Sequence, residues 1–474
     1  MLDRIHQMNT LTNSSGGKRS LLVISVYYFA LLLIAVSWTQ RGLIAPDTWL
    51  RVLFILFFTV PLLRYRYFAP TAITVFASIR LFSVAPYGYL PTEPIYYFAF
   101  AIVLYLIDVS IKNNAQNKAI SRSRSGIGLI VFLMIVLLSN LVNQVDQLDY
   151  LYLLATSIVL SKFIRRGDDL ALMEMGFMIV TFCLSIYALV FRDDFIVREY
   201  VSTKIIEIAY WTDPNYLGCV LSIGIVVSFY YFMNRVKDIG VLRVLYLVVF
   251  IIGFLTLGLL ASRSAFLAAI IPTLYILYKK TSSIKNLIFV ILFIGIVVVF
   301  LSNTNYFDSL IARFNDSDPT GSGRTVIWEN SFSRFIRSDT SLLLFGGGTD
   351  YANSLCGQSI NMAIASPHNN YLAVLYDYGI VGLIAFLAIL FSWFKMNIHN
   401  VLPVSLILVF AIMCFSLVPL MYLPFWFLVV LIEKQDVGRK PRVVRWDRSR
   451  YSWQNQWRTR RLSFLTSRGS MKAQ

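Results

Sequence analysis

The fold of this chain is limited above all by a series of apolar runs, each roughly 20 residues long and separated by mostly short polar loops. Because an α-helix rises about 1.5 Å per residue, about 20 apolar residues cross the ~30 Å hydrocarbon core of a bilayer. A helix also satisfies its own backbone polar groups where no water is available. The pattern predicts an all-α polytopic membrane protein.

The number of runs sets the expected number of transmembrane helices. The last run, 401–432, is too long for one span, and Pro419 and Pro424 divide it into two short helices. With the single runs this predicts about 12–14 transmembrane helices. The single runs are 21–38, 46–63, 68–86, 94–111, 126–142, 150–164, 170–191, 214–233, 243–262, 264–278, 285–301 and 371–394.

Composition excludes several other classes of protein. Apolar residues make up 57% of the chain and charged residues 14%, against about 25% charged in an ordinary soluble domain. A single soluble enzyme, a disordered chain and a disulfide-rich secreted module are therefore excluded. The four cysteines have neither the spacing of a zinc site nor that of a disulfide framework.

The basic residues are placed as membrane topology requires. The net charge is +17, and 433–474 contributes +9 of it, from 12 Lys and Arg against 3 Asp and Glu. The remaining lysines and arginines gather in alternate loops, which is typical of cytoplasmic loops. We therefore expect both termini in the cytoplasm and no nucleic-acid partner. The basic groups are Lys18/Arg19, Arg64/Arg66, Lys112/Lys118/Arg122/Arg124, Lys162/Arg165/Arg166, Arg235/Lys237, Lys279/Lys280/Lys285 and Lys395.

The predicted organisation has five parts. A cytoplasmic tail, 1–20, precedes a transmembrane bundle, 21–301, whose first run lacks a small-residue cleavage site and is expected to be retained. A long external loop, 302–369, leads to the C-terminal transmembrane helices, 370–432. A basic cytoplasmic tail, 433–474, ends the chain, and long loops such as 302–369 usually carry function.

The tail carries aromatic residues at helical spacing among its arginines. This pattern predicts either an amphipathic helix on the anionic inner leaflet or a disordered basic segment. The aromatic residues are Trp446, Trp453, Trp457 and Phe464.

His368 is the histidine that the predicted topology places outside, where the long loop enters a span. Ser366 is a good helix cap and Pro367 a good first-turn residue, so we expect His368 in the first turn. The positive end of the helix dipole disfavours imidazolium, and a neutral imidazole is a suitable general base. The alternative is a histidine of a capping turn without a role in chemistry.

Three arginines are candidate functional residues. Arg263 lies between two spans at the external surface, where a guanidinium either binds phosphate oxygens in a bidentate fork or extends its charge to the membrane interface. Arg324 follows Gly321 and Gly323 in DPTGSGRTVIWEN, which forms either an anion nest or a plain loop. Arg80 lies within an apolar run, where an ionisable residue indicates function.

Three further segments carry weaker signals. Asp213 and Asn215, in TDPNYLG, open a span and are chiefly a helix start. Gly347 lies in the flexible turn FGGG. Asp316 and Asp318 form a DSD sequence, which is either a solvated acidic turn or a metal-binding pair of a metal-dependent transferase.

Four signatures, in this order, make the chain resemble the O-antigen polymerase/ligase family of bacterial envelopes. TDPNYLG opens a span, SRSAFLA follows at the outside of a helix pair, and GRTVIWE, with FGGG further on, lies in the long loop. PHNNYLAVLYDYGIVGLIAF closes that loop, and family members typically show His-Asn-x-Tyr/Phe-Leu there, followed by Gly-x-x-Gly with two hydrophobic residues. The resemblance covers about residues 210–400.

The resemblance implies a membrane glycosyltransferase of the C-type fold in the bacterial inner membrane. Its donor would be a glycan on undecaprenyl diphosphate at the periplasmic face, which places 302–369 in the periplasm. The family's essential histidine corresponds to His368, and its diphosphate-binding arginines to Arg263 and Arg324. The supporting residues are Arg80, Asn215, Asn369 and Gly347.

The implied reaction needs no cofactor, because the bond energy lies in the lipid diphosphate. His368 would take a proton from the acceptor hydroxyl and the arginines would stabilise the leaving diphosphate, with inversion and without a metal. We expect a polymerase of lipid-linked repeat units for O-antigen, capsule or exopolysaccharide. The alternatives are a ligase that moves the finished glycan to lipid A-core or protein, and a lipid-linked sugar transporter. Expected partners are the donor, a glycan acceptor, membrane lipids, a chain-length regulator and a flippase.

Overall fold

The computed structural model describes ten stretches of the chain. It describes 69–79, 124–145, 149–163, 167–190, 196–200, 203–206, 213–234, 240–281, 307–315 and 324–434, with a few isolated residues elsewhere. The helices are α1 Ala69–Ile79, α2 Arg124–Val142, α3 Asp149–Phe163, α4 Gly167–Val190, α5 Pro214–Met233, α6 Gly240–Leu260, α7 Arg263–Lys280, α8 Asp308–Asn315, α9 Arg324–Phe335, α10 Thr340–Phe345, α11 Tyr351–Ser359, α12 Asn370–Asn397, α13 Val401–Ser416 and α14 Leu423–Lys434.

The structure confirms the predicted class, an all-α polytopic membrane protein. Within the described residues, four helices are long and apolar enough to cross a membrane: Leu170–Val190, Pro214–Met233, Leu242–Leu260 and Asn370–Asn397. Ile127–Val142 and Val401–Ser416 are shorter apolar helices. A 3₁₀ turn, Pro419–Met421, separates α13 from α14, as the two prolines predict.

Several predictions fall on other parts of the chain. The runs 21–38, 46–63, 94–111 and 285–301 and the basic tail lie largely or wholly outside the described residues, so the total of 12–14 spans stays a prediction. The loop predicted at 192–213 contains an antiparallel hairpin of two strands, β1 Ile196–Tyr200 and β2 Thr203–Ile206. This hairpin is the exception to helical structure among the described elements.

Helix α5 forms the centre of the bundle. Its side chains are apolar all round and mostly buried, and it packs against α4, α6, α7 and α13. Gly218 permits close contact with α7, because a Cβ at that position would lie 2.6 Å from the Cβ of Ala265. The Ser222 hydroxyl also donates to the Ala265 carbonyl at 2.8 Å. Small residues and interhelical hydrogen bonds of this kind hold membrane helices together.

Helix α12 bends at Gly379, whose backbone (φ 69°, ψ −170°) is one that essentially only glycine adopts. A helix break leaves carbonyls without their usual donors. The Gly347 amide donates to the Tyr376 carbonyl at 3.0 Å, and the Gly348 amide to the Asp377 carbonyl at 2.9 Å. The turn FGGG therefore serves as the backbone partner of the bend, and this is where the structure places Gly347.

Replacing Gly379 by Ala should destabilise the fold by about 3 kcal/mol, because a side chain is strained in this conformation and its Cβ would lie 2.2 Å from the Leu344 carbonyl oxygen. The measurement is thermal unfolding with a thiol-reactive dye, since all four cysteines are buried. Gly128→Ala is the control: its Cβ meets only the flexible Ile389 side chain, and alanine favours a helix. Equal melting of both variants would contradict the account of the bend.

Candidate active site

The starts of α5 and α9 and the end of α13 meet at one end of the bundle. The carbonyl of Ser416, at the end of α13, accepts a hydrogen bond from the Arg324 guanidinium, Nη1 to O, at 3.0 Å. Just beyond α13, the Val418 amide donates to the hydroxyl of Tyr216, in the first turn of α5, at 3.2 Å. At the other end of α5 and α7, the Lys280 ammonium donates to the Asn234 side chain. The candidate residues thus lie opposite the basic end of α7.

The starts of α5 and α7 are tied together through their caps. Asp213 caps α5, its Oδ1 accepting from the Asn215 amide at 2.7 Å. The Asn215 Oδ1 accepts from the Ser262 hydroxyl at 2.8 Å, and that hydroxyl caps α7 by accepting from the Ala265 amide. Arg263 is the first residue of α7. Asn215, predicted as a supporting residue, therefore contacts the cap that immediately precedes Arg263.

Arg324 is the first residue of α9 and is partly buried. Its Nε is buried and has no hydrogen-bond partner among the described residues. Burial lowers the pKa of the guanidinium, the negative charge of Asp213 raises it, and the positive charge of Arg263 lowers it. Arg324 therefore lies within electrostatic reach of both residues, so the structure brings the two predicted phosphate-binding arginines together with a carboxylate.

The structure corrects the expected start of α12. Asn369, not Ser366, is the cap, because its Oδ1 accepts from the amides of both Tyr371 at 2.9 Å and Leu372 at 3.1 Å. His368 therefore precedes the helix and does not lie in its first turn. Its backbone is left-handed, with φ 46°, and its amide donates to the Ser366 hydroxyl at 3.2 Å. Asn369, predicted as a supporting residue, has this capping role.

Helix α9 holds the loop that carries His368. Trp328 lies four residues after Arg324, on the same face of α9. Its indole Nε1 donates to the carbonyl of Pro367 at 2.6 Å. One face of α9 thus contacts the end of α13 through Arg324 and the segment before α12 through Trp328.

The imidazole of His368 is kept neutral by its surroundings. Burial, and secondarily the positive charge of Arg324, lowers the pKa of His368 to about 4. Sequence reasoning predicted a neutral ring from the dipole of α12, whereas the structure gives burial and a neighbouring guanidinium as the causes. The buried Nδ1 has no hydrogen-bond partner among the described residues. A neutral imidazole can accept a proton at one ring nitrogen.

Several predicted residues are not among those that the structure describes. Arg80, Asp316 and Asp318 fall outside the described residues, as do Gly321 and Gly323 of the predicted nest. In the part of the chain that the structure describes, no group of three or more His, Cys, Asp or Glu side chains could hold a metal ion.

Two features of the site were missed by sequence reasoning. Asp213 was predicted only as a helix start, but its charge also acts on Arg324, and no sequence signal relates these two distant segments. Asn370 follows the cap of α12, and its buried carboxamide has no hydrogen-bond partner among the described residues at either atom. The sequence signal available for Asn370 was its position two residues after His368.

A family model described as O-antigen ligase matches residues 248–387. The matched stretch begins within α6, contains Arg263, Arg324 and His368, and ends within α12. A comparison with curated proteins finds no match. The match confirms, over this stretch, the resemblance to the O-antigen polymerase/ligase family, and it supports membrane glycan processing of the ligase or polymerase type.

The protonation of His368 gives a direct test of the site's electrostatics. Because its pKa is lowered to about 4, the His368 resonances should not titrate between about pH 6 and pH 8. Arg324→Gln removes a positive charge that disfavours imidazolium, so the pKa of His368 should rise and titration should begin at higher pH. The measurement is NMR of the histidine-labelled protein, with His368→Ala to assign the signals.

The chain contains two other histidines, which simplifies the spectrum. His399 is exposed beyond the far end of α12 and serves as the internal control, since Arg324→Gln should leave its resonances unchanged. An ordinary titration of His368 in the unsubstituted protein would contradict the described environment.

Proposed function

We propose that this protein is a membrane glycosyltransferase that polymerises undecaprenyl-diphosphate-linked oligosaccharide repeat units. The observation that carries the proposal is the position of Arg324, whose charge acts on His368 while the charge of Arg263 acts on Arg324. A guanidinium beside a neutral imidazole, with a second guanidinium next to the first, suits a reaction in which an anion leaves and a hydroxyl attacks. The O-antigen ligase match over the same residues supports this proposal.

The arginines bind the diphosphate of the donor in this proposal. A guanidinium binds phosphate oxygens through parallel N–H donors, and partial burial strengthens the interaction by reducing screening. Arg324 has a buried Nε without a partner among the described residues, and Arg263 lies at the start of α7, whose dipole also favours an anion. The two arginines take the role that a divalent metal has in other glycosyltransferases.

His368 acts as the general base. The acceptor hydroxyl oxygen attacks the anomeric carbon of the donor while its proton passes to the imidazole. The bond between that carbon and the diphosphate oxygen breaks, and its electron pair leaves with undecaprenyl diphosphate. A single direct displacement gives inversion at the anomeric carbon.

The proposed location is the periplasmic face of the inner membrane. The site lies at the end of α5 and α7 opposite Lys280 and Asn234. The lysine-rich loop after α7 is typical of the cytoplasmic side, so the opposite end faces the periplasm. Both termini are then cytoplasmic, and 302–369 is periplasmic.

A ligase is the second candidate, and the description of the matching family model favours it. Polymerase and ligase share the donor site and differ in the acceptor, which is the next lipid-linked repeat in one case and lipid A-core or protein in the other. A chain-length regulator and a flippase stay predicted partners of the polymerase.

The central test is transfer in vitro from purified lipid-linked repeat units. His368→Ala should reduce the rate at least about 100-fold, because a general base contributes about 10² to 10⁴. Arg263→Ala and Arg324→Ala should each reduce it about 100-fold, by loss of charge stabilisation. Activity should persist in the presence of a chelator.

The chain offers matched controls for both residue types. His399→Ala and Arg334→Ala each remove an exposed side chain of the same kind, and both should keep the unsubstituted rate. Full activity of His368→Ala and Arg263→Ala would contradict the site.

The lipids of a deletion strain distinguish the two candidates. Loss of a polymerase should cause a carrier lipid with a single repeat unit to accumulate. Loss of a ligase should instead leave long chains on the carrier lipid. Extraction and mass spectrometry of the undecaprenyl-linked glycans distinguish these outcomes. A deletion strain complemented with the His368→Ala variant should show the same lipids as the deletion strain.

A further inference from the structure

One aromatic side chain beside the site is exposed where its neighbours are not. Phe415, in the last turn of α13, is 62% exposed, whereas Met413, Cys414 and Leu417 are fully buried. Because the next residue, Ser416, contacts Arg324, this exposed ring is open to a ligand that binds beside that guanidinium.

The ring of Phe415 is held by Trp328. The two ring centroids are 6.1 Å apart at an interplanar angle of 78°, which is an edge-to-face pair. Trp328 is itself fixed by its hydrogen bond to the Pro367 carbonyl. The pair is therefore organised before any ligand binds, and a ligand that stacks on it loses little side-chain entropy.

The pair is adjacent along the chain to residues that contact both the proposed diphosphate site and the segment of the proposed base. Phe415 immediately precedes Ser416, whose carbonyl accepts from Arg324. Trp328 contacts the residue immediately before His368. In the donor, one sugar ring links directly to the diphosphate, and its anomeric carbon must lie between the guanidinium and the imidazole.

Aromatic rings are suited to bind such a sugar. One face of a pyranose ring presents C–H groups with partial positive charge, and the face of an aromatic ring carries the negative part of its quadrupole. We propose that Phe415, held by Trp328, is the stacking surface for the donor sugar that is attached to the diphosphate. This inference rests on the proposed function, and it adds two residues that recognise the glycan rather than the phosphate.

The test compares two probes that differ only in the glycan. They are the purified undecaprenyl-diphosphate-linked repeat unit and undecaprenyl diphosphate alone, each bound to the protein in nanodiscs. Phe415→Ala should weaken binding of the first probe about three- to tenfold and leave binding of the second unchanged. Phe415→Tyr keeps the ring and should keep the affinity for both.

Phe391→Ala is the matched control, since this phenylalanine of α12 is 67% exposed and should not affect either probe. Equal weakening of the binding of both probes by Phe415→Ala would overturn the proposal and indicate that the ring contacts the lipid chain. Unchanged binding of both probes would overturn it as well. If the unsubstituted protein binds the glycan probe without transferring it, the proposed function fails. The ratio of the affinities for the two probes still tests whether Phe415 stacks on the sugar.

Discussion

The backbone groups at helix ends must find hydrogen-bond partners within an apolar bundle, and much of the site follows from how this chain provides them. Asp213, Ser262 and Asn369 cap three helices at the same end of the bundle, each through a side-chain oxygen. Each cap lies within two residues of a residue proposed for the site. Arg263 follows Ser262 directly, and His368 precedes Asn369 directly. The same residues therefore stabilise the helix starts and position the side chains proposed for the site.

The bend of α12 applies the same requirement inside the bundle. The broken helix presents carbonyls that would be unsatisfied, and a turn of three glycines approaches closely enough to donate to them. Ser139 of α2 also donates its hydroxyl to the Asp377 carbonyl. The glycine turn thus joins the long loop to α12, and the Ser139 hydroxyl joins α2 to α12 at the same bend.

Apolar runs predicted individual helices well. The run 214–233 coincides with α5, and the prolines after α13 mark the break between two helices. Bilayer thickness and backbone hydrogen bonding determine these features locally, so a single sequence contains the required information. The hairpin at 196–206 follows from strand pairing, which the span pattern does not reveal.

Side-chain detail was less accessible from sequence. Ser366-Pro367 and Asn369-Asn370 both fit the rules for a helix start, and the choice between them is fixed partly by tertiary contact, since Trp328 holds the Pro367 carbonyl. The approach of Arg324 to Asp213 and to the end of α13 depends on packing between segments far apart in the chain. Residue type identified the candidates, whereas their common location needed the fold.

The closeness of Arg324 to His368 has a consequence for the order of events in the proposed reaction. Without donor, burial and secondarily the positive charge of Arg324 lower the pKa of His368, so the imidazole is a weak proton acceptor. A bound diphosphate offsets the charge of that guanidinium, so the imidazole becomes more basic when a donor occupies the site. Such coupling would keep His368 from activating water when no donor is bound. It would also make hydrolysis of the lipid-linked glycan a rare side reaction.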